Sequence, residues 1–489
     1  MSLFSFHSDA RTRRRGMLLA AAAVAMLVTS LVRGDPVSEE EFPPIPEELQ
    51  YRRQAIADDE NAVTDWLRAA PLLKALDEPG ASIAAAAWTP GAAPPTADEW
   101  APVIAWVREH SEPLRWIEDS LHKPKAQWPA RSAEEFEPGL AVLRRAATAR
   151  LALAMEAERD GNTGRSVALI LGTAQLGQMA AEGEGALIHY LIGVAVRSMA
   201  NGAAQRFAAE PAPSPTDLER LLAGLRPLDD EPEVYARTLR VEFTDYVLRP
   251  PDAVELAHQW TDALRLSPEL MKALVPEELQ RAHTIFLTPA LVAGHPKPFD
   301  HAWAARQYIP RYLCYLRNAR AAWANQEKED DNPEERMRAF LRDAKPVLDR
   351  VKRAPLPLNQ RAIARVRAAF NRFENPVGRL LAARPEVVDF SPRRSFQARV
   401  EREATRTLLA LRLYQRQRGD WPEELEELVA AGIIGRLPLD AFSDQPLRYD
   451  RKRLIVWSVG QDGRDDGGHS APRLRWQQSD AVWQVGFRE

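Results

Sequence analysis

Cysteine is nearly absent from this chain, because Cys314 is the single cysteine among 489 residues. One cysteine cannot form an internal disulfide, so the stability of the fold has to come from packing, whatever the redox compartment. Cys314 lies in the apolar-rich stretch YIPRYLCYLRNA. Such surroundings are typical of a small buried hydrophobic side chain rather than of a nucleophile.

An excess of positive charge is also missing. The 65 Lys and Arg residues are balanced by 69 Asp and Glu residues, which gives a formal net charge of -4. Basic residues are scattered among acidic ones along the predicted helices, and domains that bind nucleic acid usually present a broad basic face. We therefore expect no nucleic-acid partner.

Familiar catalytic and nucleotide-binding motifs are absent as well. The sequence has no HExxH zinc pair, no G-x-S-x-G nucleophile turn, no phosphate-binding loop and no G-x-G-x-x-G fingerprint. These absences favour a protein without catalytic activity. The loop GHPKPFDH, with His295, Asp300 and His301, leaves one alternative open, an exported hydrolase with its site near residues 294–301.

The N-terminal region carries an apolar run, Met17–Val32, between the basic RTRRRG and the acidic, proline-rich GDPVSEEEFPP. Basic residues before an apolar segment favour an N-terminus in the cytoplasm. The run of about 16 residues is slightly short for a transmembrane helix and slightly long for the core of a signal peptide. We interpret it as an uncleaved anchor, with cleavage near Gly34 as the alternative. Both interpretations place the bulk of the chain on the extracytoplasmic side of a membrane.

From about residue 138 to residue 392 the apolar pattern is helical almost throughout. Leu140, Leu143, Ala147, Leu151 and Ala154 recur at the spacings of an amphipathic helix. Apolar runs separated by short polar connections predict antiparallel helical hairpins, arranged as an irregular bundle or an α-solenoid without a fixed repeat period. Further helices are predicted over residues 231–248, 268–286, 301–326, 333–350 and 360–373.

The predicted fold class is therefore mainly α, with a membrane anchor at the N-terminus and a small α+β module at the C-terminus. Short helices in the proline-rich part are expected to dock on the helical domain through their tryptophans. The predicted divisions are 1–34 for the cytoplasmic tail and the anchor or signal segment, 35–135 for the proline-rich spacer, 136–395 for the helical domain and 396–489 for the C-terminal module.

The sequence pattern changes in the C-terminal module. ALRLYQRQRGDWP ends a long helix, and GDWPEELEEL predicts a second helix capped by Asp420. The runs PLRYD and RLIVWSVG predict a β-hairpin. The following stretch, WSVGQDGRDDGG, contains three aspartates and four glycines.

This order of features resembles the C-terminal part of the major pseudopilin of type II secretion systems, over about residues 401–485. LPLDAFSDQPLRY is similar to the family pattern L-P-x-D-P-W-G-x-P-Y-x-Y, and WSVGQDGRDDGG is similar to its S-x-G-x-D-G loop. Ala441, Phe442 and Ser443 replace the family's proline, tryptophan and glycine. The resemblance implies a pseudopilin-like α+β module.

In that family the loop binds calcium, so the resemblance implies a calcium site formed by Asp462, Asp480, Asp466 and Asp465. Calcium is held by six to eight oxygen atoms, which a loop rich in carboxylates can supply. The glycines of the loop allow the positive φ values that wrapping around an ion requires. The alternative is an acidic surface turn that binds nothing.

Together, these features predict a membrane-anchored extracytoplasmic scaffold or interaction protein with a calcium-stabilised C-terminal module and an unidentified protein partner. Besides the exported hydrolase, a component of a secretion pseudopilus remains a second alternative. The sequence RRRG followed by MLLAA is similar to a prepilin cleavage site after Gly16. However, Ala21 stands where that family has a glutamate.

Overall fold

Helices make up most of the chain that the computed structural model describes, namely residues 42–89, 92–93, 95–129, 136–210, 213–225, 231–248, 295–327, 333–353, 360–383, 387–471 and 476–485. Two small antiparallel sheets follow near the C-terminus. The apolar run Met17–Val32 and the helix predicted over residues 268–286 lie outside the described residues. Within the described ranges, no helix combines the length and apolar character needed to cross a membrane.

The α-helices are bounded as follows: α1 Ala62–Ala69, α2 Glu78–Ala85, α3 Ala97–Glu109, α4 Ser111–Ser120, α5 Phe136–Arg159, α6 Thr163–Glu182, α7 Leu187–Ala209, α8 Pro215–Gly224, α9 Glu231–Glu242, α10 His301–Arg320, α11 Pro333–Lys352, α12 Gln360–Phe370, α13 Pro376–Ala383, α14 Val387–Arg418 and α15 Glu426–Ala430. Short 3-10 turns cover Glu47–Leu49 and Trp323–Asn325, and a π-helical turn, Phe243–Val247, follows α9 directly. The mainly helical fold predicted from the sequence is confirmed.

The chain divides into two compact units, each built from separate stretches of sequence. Unit I comprises the described residues within 1–46, 247–311 and 329–385. Unit II comprises those within 47–246, 312–328 and 386–489. In unit I, α11 packs against α12 and α13. The division of the chain into four domains stays a prediction.

Unit II is organised around α5, α6 and α7. Helix α6 packs along both α5 and α7, and α14 packs against α7 and α8. The sequence RDGNTG separates α5 from α6 as predicted: Gly161 has a φ of 73°, and the Asn162 side chain caps α6 by accepting a hydrogen bond of 3.2 Å from the Arg165 backbone N–H. The short helices before α5 pack on this group through buried aromatic side chains, among them Trp66 and Trp100.

The C-terminal part of unit II contains two small sheets. Strands β1, Leu439–Asp440, and β2, Gln445–Pro446, form an antiparallel pair. Strands β3, Arg448–Asp450, β4, Ile455–Ser458, and β5, Ala481–Gln484, form an antiparallel sheet in the order β3-β4-β5. The predicted hairpin is therefore confirmed, with Tyr449 opposite Val456. Strand β4 is buried along its whole length and packs on α14.

The predicted start of the second helix of the C-terminal module, directly after Asp420, is wrong. Helix α15 begins at Glu426, and the Asp420 carboxylate accepts a hydrogen bond from its neighbour Trp421 instead of capping a helical turn. Arg451, in the turn between β3 and β4, forms ion pairs with Asp420 and Glu423, and Tyr449 donates a hydrogen bond to the Pro422 carbonyl. These contacts with the hairpin hold the segment before α15 in a non-helical conformation.

Close packing of α6 against α7 depends on two glycines. A methyl group added at Gly193 would lie 2.6 Å from the Gly177 carbonyl oxygen, and one added at Gly177 would lie 2.7 Å from the Gly193 carbonyl oxygen. Both distances are shorter than van der Waals contact with a backbone atom allows. The two helices therefore approach each other more closely at this point than any other residue type would permit.

We expect Gly193→Ala to lower the free energy of unfolding by about 1–3 kcal/mol, because the added methyl forces the two backbones apart. Gly164→Ala is the matched control on α6, since a methyl group there would meet the Arg220 guanidinium at an ordinary 3.6 Å. In a helix, replacing glycine by alanine without a clash is neutral or stabilising. Thermal unfolding of the two variants provides the comparison, and equal behaviour would contradict the packing described here.

Candidate functional site

A completely buried carboxylate, Asp440, lies where β1 ends. Its Oδ1 accepts hydrogen bonds from the Phe442 backbone N–H at 3.1 Å and from the Ser458 hydroxyl at 2.8 Å. Its Oδ2 accepts a hydrogen bond from the Val459 N–H at 3.0 Å. Asp440 thereby joins the turn between β1 and β2 to the end of β4, where the acidic loop of residues 459–468 begins.

Arg448, on β3, connects Asp440 to the acidic loop. Its Nε lies 2.6 Å from Asp465 Oδ2, and its Nη1 lies 3.7 Å from Asp440 Oδ2. One guanidinium group therefore neutralises two carboxylates that are 25 positions apart in the sequence. The contact with Asp465 is a charge-assisted hydrogen bond, which is stronger than a neutral one, whereas the contact with Asp440 is a longer-range ion pair.

The Asp465 carboxylate has further partners. Its Oδ1 accepts hydrogen bonds from the Trp457 indole N–H at 3.0 Å and from the Gly467 N–H at 2.9 Å. Partial burial alone would raise the pKa of Asp465, but the hydrogen bonds from Trp457, Gly467 and Arg448 hold it below its ordinary value. Asp465 is therefore ionised and fixed to the protein's own donors.

Asp480, immediately before β5, is completely buried beneath the acidic loop. Its Oδ2 accepts a 2.7 Å hydrogen bond from the Gly468 N–H, whereas its Oδ1 is buried without a hydrogen-bond partner in the described part of the chain. Burial raises the pKa of Asp480, and the nearby charges of Asp465 and Asp466 raise it further, against the lowering effect of the backbone N–H groups of Gly468 and Asp466. A buried carboxylate oxygen in this state is energetically unfavourable.

Of the four predicted calcium ligands, Asp480, Asp465 and Asp466 therefore lie near one another. Asp462 is exposed, and its carboxylate accepts a hydrogen bond from the Arg464 N–H at 3.2 Å. The four glycines of the loop all have positive φ values, between 68° and 74°, as expected. Gly460 leaves little room for a side chain, since a methyl group there would lie 2.9 Å from the Trp476 carbonyl oxygen.

Within the described residues, no group of three or more His, Cys, Asp or Glu side chains is placed to hold a metal ion. The individual atoms still have the chemistry that calcium prefers, because Asp480 Oδ1 and the exposed carboxylates of Asp462 and Asp466 are hard oxygen donors. Asp465 differs from them, since both of its oxygens already have partners. The donor set thus fits calcium best on the side of the loop that faces Asp480.

The second predicted site, the loop of residues 294–301, is described from His295 onward. Lys297 N–H donates to His295 Nδ1 at 3.0 Å, so the opposite ring nitrogen carries the proton and donates to the Phe373 carbonyl at 3.2 Å. Burial lowers the pKa of His295. Nδ1 therefore stabilises the loop internally, and Nε2 fixes the loop to the segment that contains Phe373.

Asp300 and His301 have similar roles in this loop. Asp300 Oδ1 accepts a 2.8 Å hydrogen bond from the Trp303 N–H, which caps α10, and Oδ2 lies 2.6 Å from Lys297 Nζ. His301 Nε2 lies 2.8 Å from the Val247 carbonyl oxygen. The three side chains proposed for an exported hydrolase thus anchor the loop and the start of α10.

Sequence reasoning missed Asp440, Arg448 and Trp457 as parts of the site. Asp440 lies within the quoted stretch LPLDAFSDQPLRY, so its sequence context gave a signal. Arg448 and Trp457 gave none, because their role depends on contacts with Asp465 that only the folded hairpin creates.

Comparison with known proteins adds no family to this description. The chain matches no protein-family model, no curated protein and no solved structure at a significant level.

We expect Asp440→Ala to destabilise the C-terminal module by about 3–5 kcal/mol, because it leaves three buried donors without their acceptor and removes one of the two carboxylates that face Arg448. Asp462→Ala is the matched control and should change stability by less than about 0.5 kcal/mol, since Asp462 is exposed. Hydrogen exchange of the β4 and β5 amides measures the effect locally. Equal protection in the two variants would contradict the role given to Asp440.

Proposed function

We propose that this protein is a membrane-anchored extracytoplasmic scaffold whose helical hairpins bind a protein partner and whose pseudopilin-like C-terminal module holds calcium. The anchor is Met17–Val32, and its flanking charges support a cytoplasmic N-terminus. The absence of catalytic motifs in the sequence supports an interaction role rather than an enzymatic one.

The observation that carries the calcium part of the proposal is the buried Asp480 Oδ1, which lacks a hydrogen-bond partner in the described chain. A carboxylate removed from water without compensation lowers stability, and a hard cation supplies that compensation. Asp480 and Asp466 are the first ligands we propose, because their charges act on each other. Asp462 follows, and Asp465 is the least available because Arg448 and Trp457 hold it.

The scaffold part is supported by the way the C-terminal module is attached. Strands β1 and β4 pack against α14, which also packs against α7 and α8. Val456 of β4 belongs to the same hydrophobic core as apolar side chains of α7, α8 and α14. The acidic loop is thus supported by the helical part of unit II rather than by a free linker, which suits a surface that presents a fixed shape to a partner.

We expect calcium to slow hydrogen exchange in residues 460–471 and 476–485 of the wild-type chain. With a dissociation constant of ~0.1–1 mM, as in extracellular calcium modules, 10 mM calcium would stabilise the bound loop by roughly 1.4–2.7 kcal/mol. Exchange of the loop amides should then be slowed by about ten-fold to a hundred-fold. Magnesium, which prefers a smaller octahedral site, should have a much weaker effect.

Asp480→Asn distinguishes a metal site from a strained surface turn. The substitution removes the buried charge, so exchange at the loop should be slower than in wild type without calcium, and the response to calcium should disappear. Asp444→Asn is the control, since Asp444 is exposed in the neighbouring turn; it should leave the response intact. An equal lack of response in wild type and both variants at 10 mM calcium would refute the calcium site.

The membrane part of the proposal is tested at the N-terminus. We expect protein extracted from membranes to begin at the start of the chain, because the apolar run would be retained as an anchor. Direct N-terminal sequencing provides the measurement. Cleavage after Gly16 would instead favour a pseudopilus component, and cleavage near Gly34 would indicate a removed signal peptide.

A further inference from the structure

A cleft of about 420 Å³ opens on the surface of unit II, between the end of α4 and one face of α6. Gln175 and Gln178 of α6 line one side, and Glu118 and His122 lie on the side of α4. The volume lies within the range of pockets that hold small molecules. Nothing proposed above for the C-terminal module or the anchor involves this cleft.

The cleft is built around an arginine, Arg150, which reaches it from α5. The side chain passes over Gly172, where an added methyl group would lie 2.8 Å from the Arg150 Cζ. A glycine at this position therefore gives the guanidinium its path between the helices. Arg150 as a whole is only 7% exposed, although it is a residue type that usually keeps its charged end in water.

The Arg150 guanidinium is poorly satisfied by the protein. Its Nε is buried without a hydrogen-bond partner in the described chain, its Nη1 meets the Glu118 carboxylate, and burial lowers its pKa to about 10. The side chain forms an ion pair with Glu118, whose own side chain is 54% exposed. One carboxylate that is largely hydrated thus faces a cation that is almost completely removed from water.

A bound carboxylate would complete this arrangement. The guanidinium presents several N–H groups in a planar fork that matches a carboxylate in two-point contact. Glu118 is well placed to leave Arg150, because it has solvent to return to. Gln175 and Gln178 already donate through Nε2 to the Leu121 carbonyl and to Glu182, so their Oε1 atoms remain to accept hydrogen bonds from a ligand's N–H or O–H groups.

We propose that this cleft binds a small molecule bearing a carboxylate, which pairs with Arg150 in place of Glu118. The ligand would have an amide or hydroxyl donor close to its carboxylate, to match the glutamine oxygens of α6. Glu118 then acts as an internal competitor that occupies Arg150 when the ligand is absent.

The test uses the full chain, purified in detergent, and equilibrium dialysis of radiolabelled N-acetylglycine. Its neutral counterpart, N-acetylglycinamide, has nearly the same shape without the charge. We expect N-acetylglycine to bind with millimolar affinity and the amide to bind at least ten-fold more weakly. Glu118→Gln should tighten N-acetylglycine binding several-fold, because it removes the competing carboxylate.

Arg150→Met should abolish the preference for the carboxylate, whereas Arg150→Lys should retain part of it, because lysine keeps the charge without the planar fork. Arg144→Met, on the exposed face of the same helix, is the matched control and should bind like wild type. We expect the melting temperature of Arg150→Met to be unchanged or raised, since a poorly paired buried charge is lost. If that variant fails to fold, the Glu118→Gln and Arg150→Lys results decide.

The proposal is overturned if wild type and Glu118→Gln fail to bind N-acetylglycine at tens of millimolar concentration. It is also overturned if both proteins bind the acid and the amide equally well, since Arg150 would then recognise no carboxylate. A several-fold loss of affinity in Glu118→Gln would also overturn the proposal, because Glu118 would then support ligand binding instead of competing with the ligand.

Discussion

The C-terminal module depends on the burial of one carboxylate that is fully paired. Asp440 is inaccessible to solvent, and its two oxygens accept hydrogen bonds from two backbone N–H groups and one hydroxyl while facing the Arg448 guanidinium. A charge in that position is tolerated only when every partner is present. The turn between β1 and β2, the end of β4 and the start of the acidic loop are consequently held in one arrangement.

Other buried charges in unit II show that the fold can satisfy such groups completely. Arg206, which is as buried as Arg150, lies 2.7 Å from Glu158 Oε2 and donates to the Ala87 carbonyl. Glu158 is itself largely buried, so both partners of this pair leave water together. Asp480 and Arg150 differ, because each retains a buried polar atom with no hydrogen-bond partner in the described chain. A ligand of opposite charge at either position would compensate the buried atom.

The sequence predicted the elements of the fold better than the contacts between them. Helical spacing identified most helices because each buries one apolar face, and the two β-rich runs PLRYD and RLIVWSVG identified the hairpin. The predicted start of α15 was wrong. Arg451, in the turn between β3 and β4, pairs with Asp420 and Glu423, and sequence pattern near Asp420 does not reveal that contact. Burial of Cys314 followed from its apolar neighbours and is confirmed.

The candidate sites were predicted less completely, for the same physical reason. Local sequence indicated the acids of the loop and its glycines, a residue type that readily adopts positive φ values. It did not indicate that Arg448 would pair with Asp440 and Asp465. Nor did it indicate that the Arg150 side chain would pass over Gly172 into a cleft. Both outcomes depend on which helices and strands become neighbours, and a pattern of residue types does not determine that.

Arg448 also limits what calcium can do in this module. The guanidinium already neutralises Asp440 and Asp465, and Arg453 donates a 2.7 Å hydrogen bond to the Gly467 carbonyl, so two arginines hold one side of the loop. The charge that remains uncompensated lies on the other side, at Asp480 and Asp466. A cation there would order the loop above β5 while the sheet, fixed by Asp440, keeps its structure without it. Calcium binding would therefore change the surface that the loop presents rather than the folding of the module, which is the behaviour expected of an interaction site that responds to its ionic surroundings.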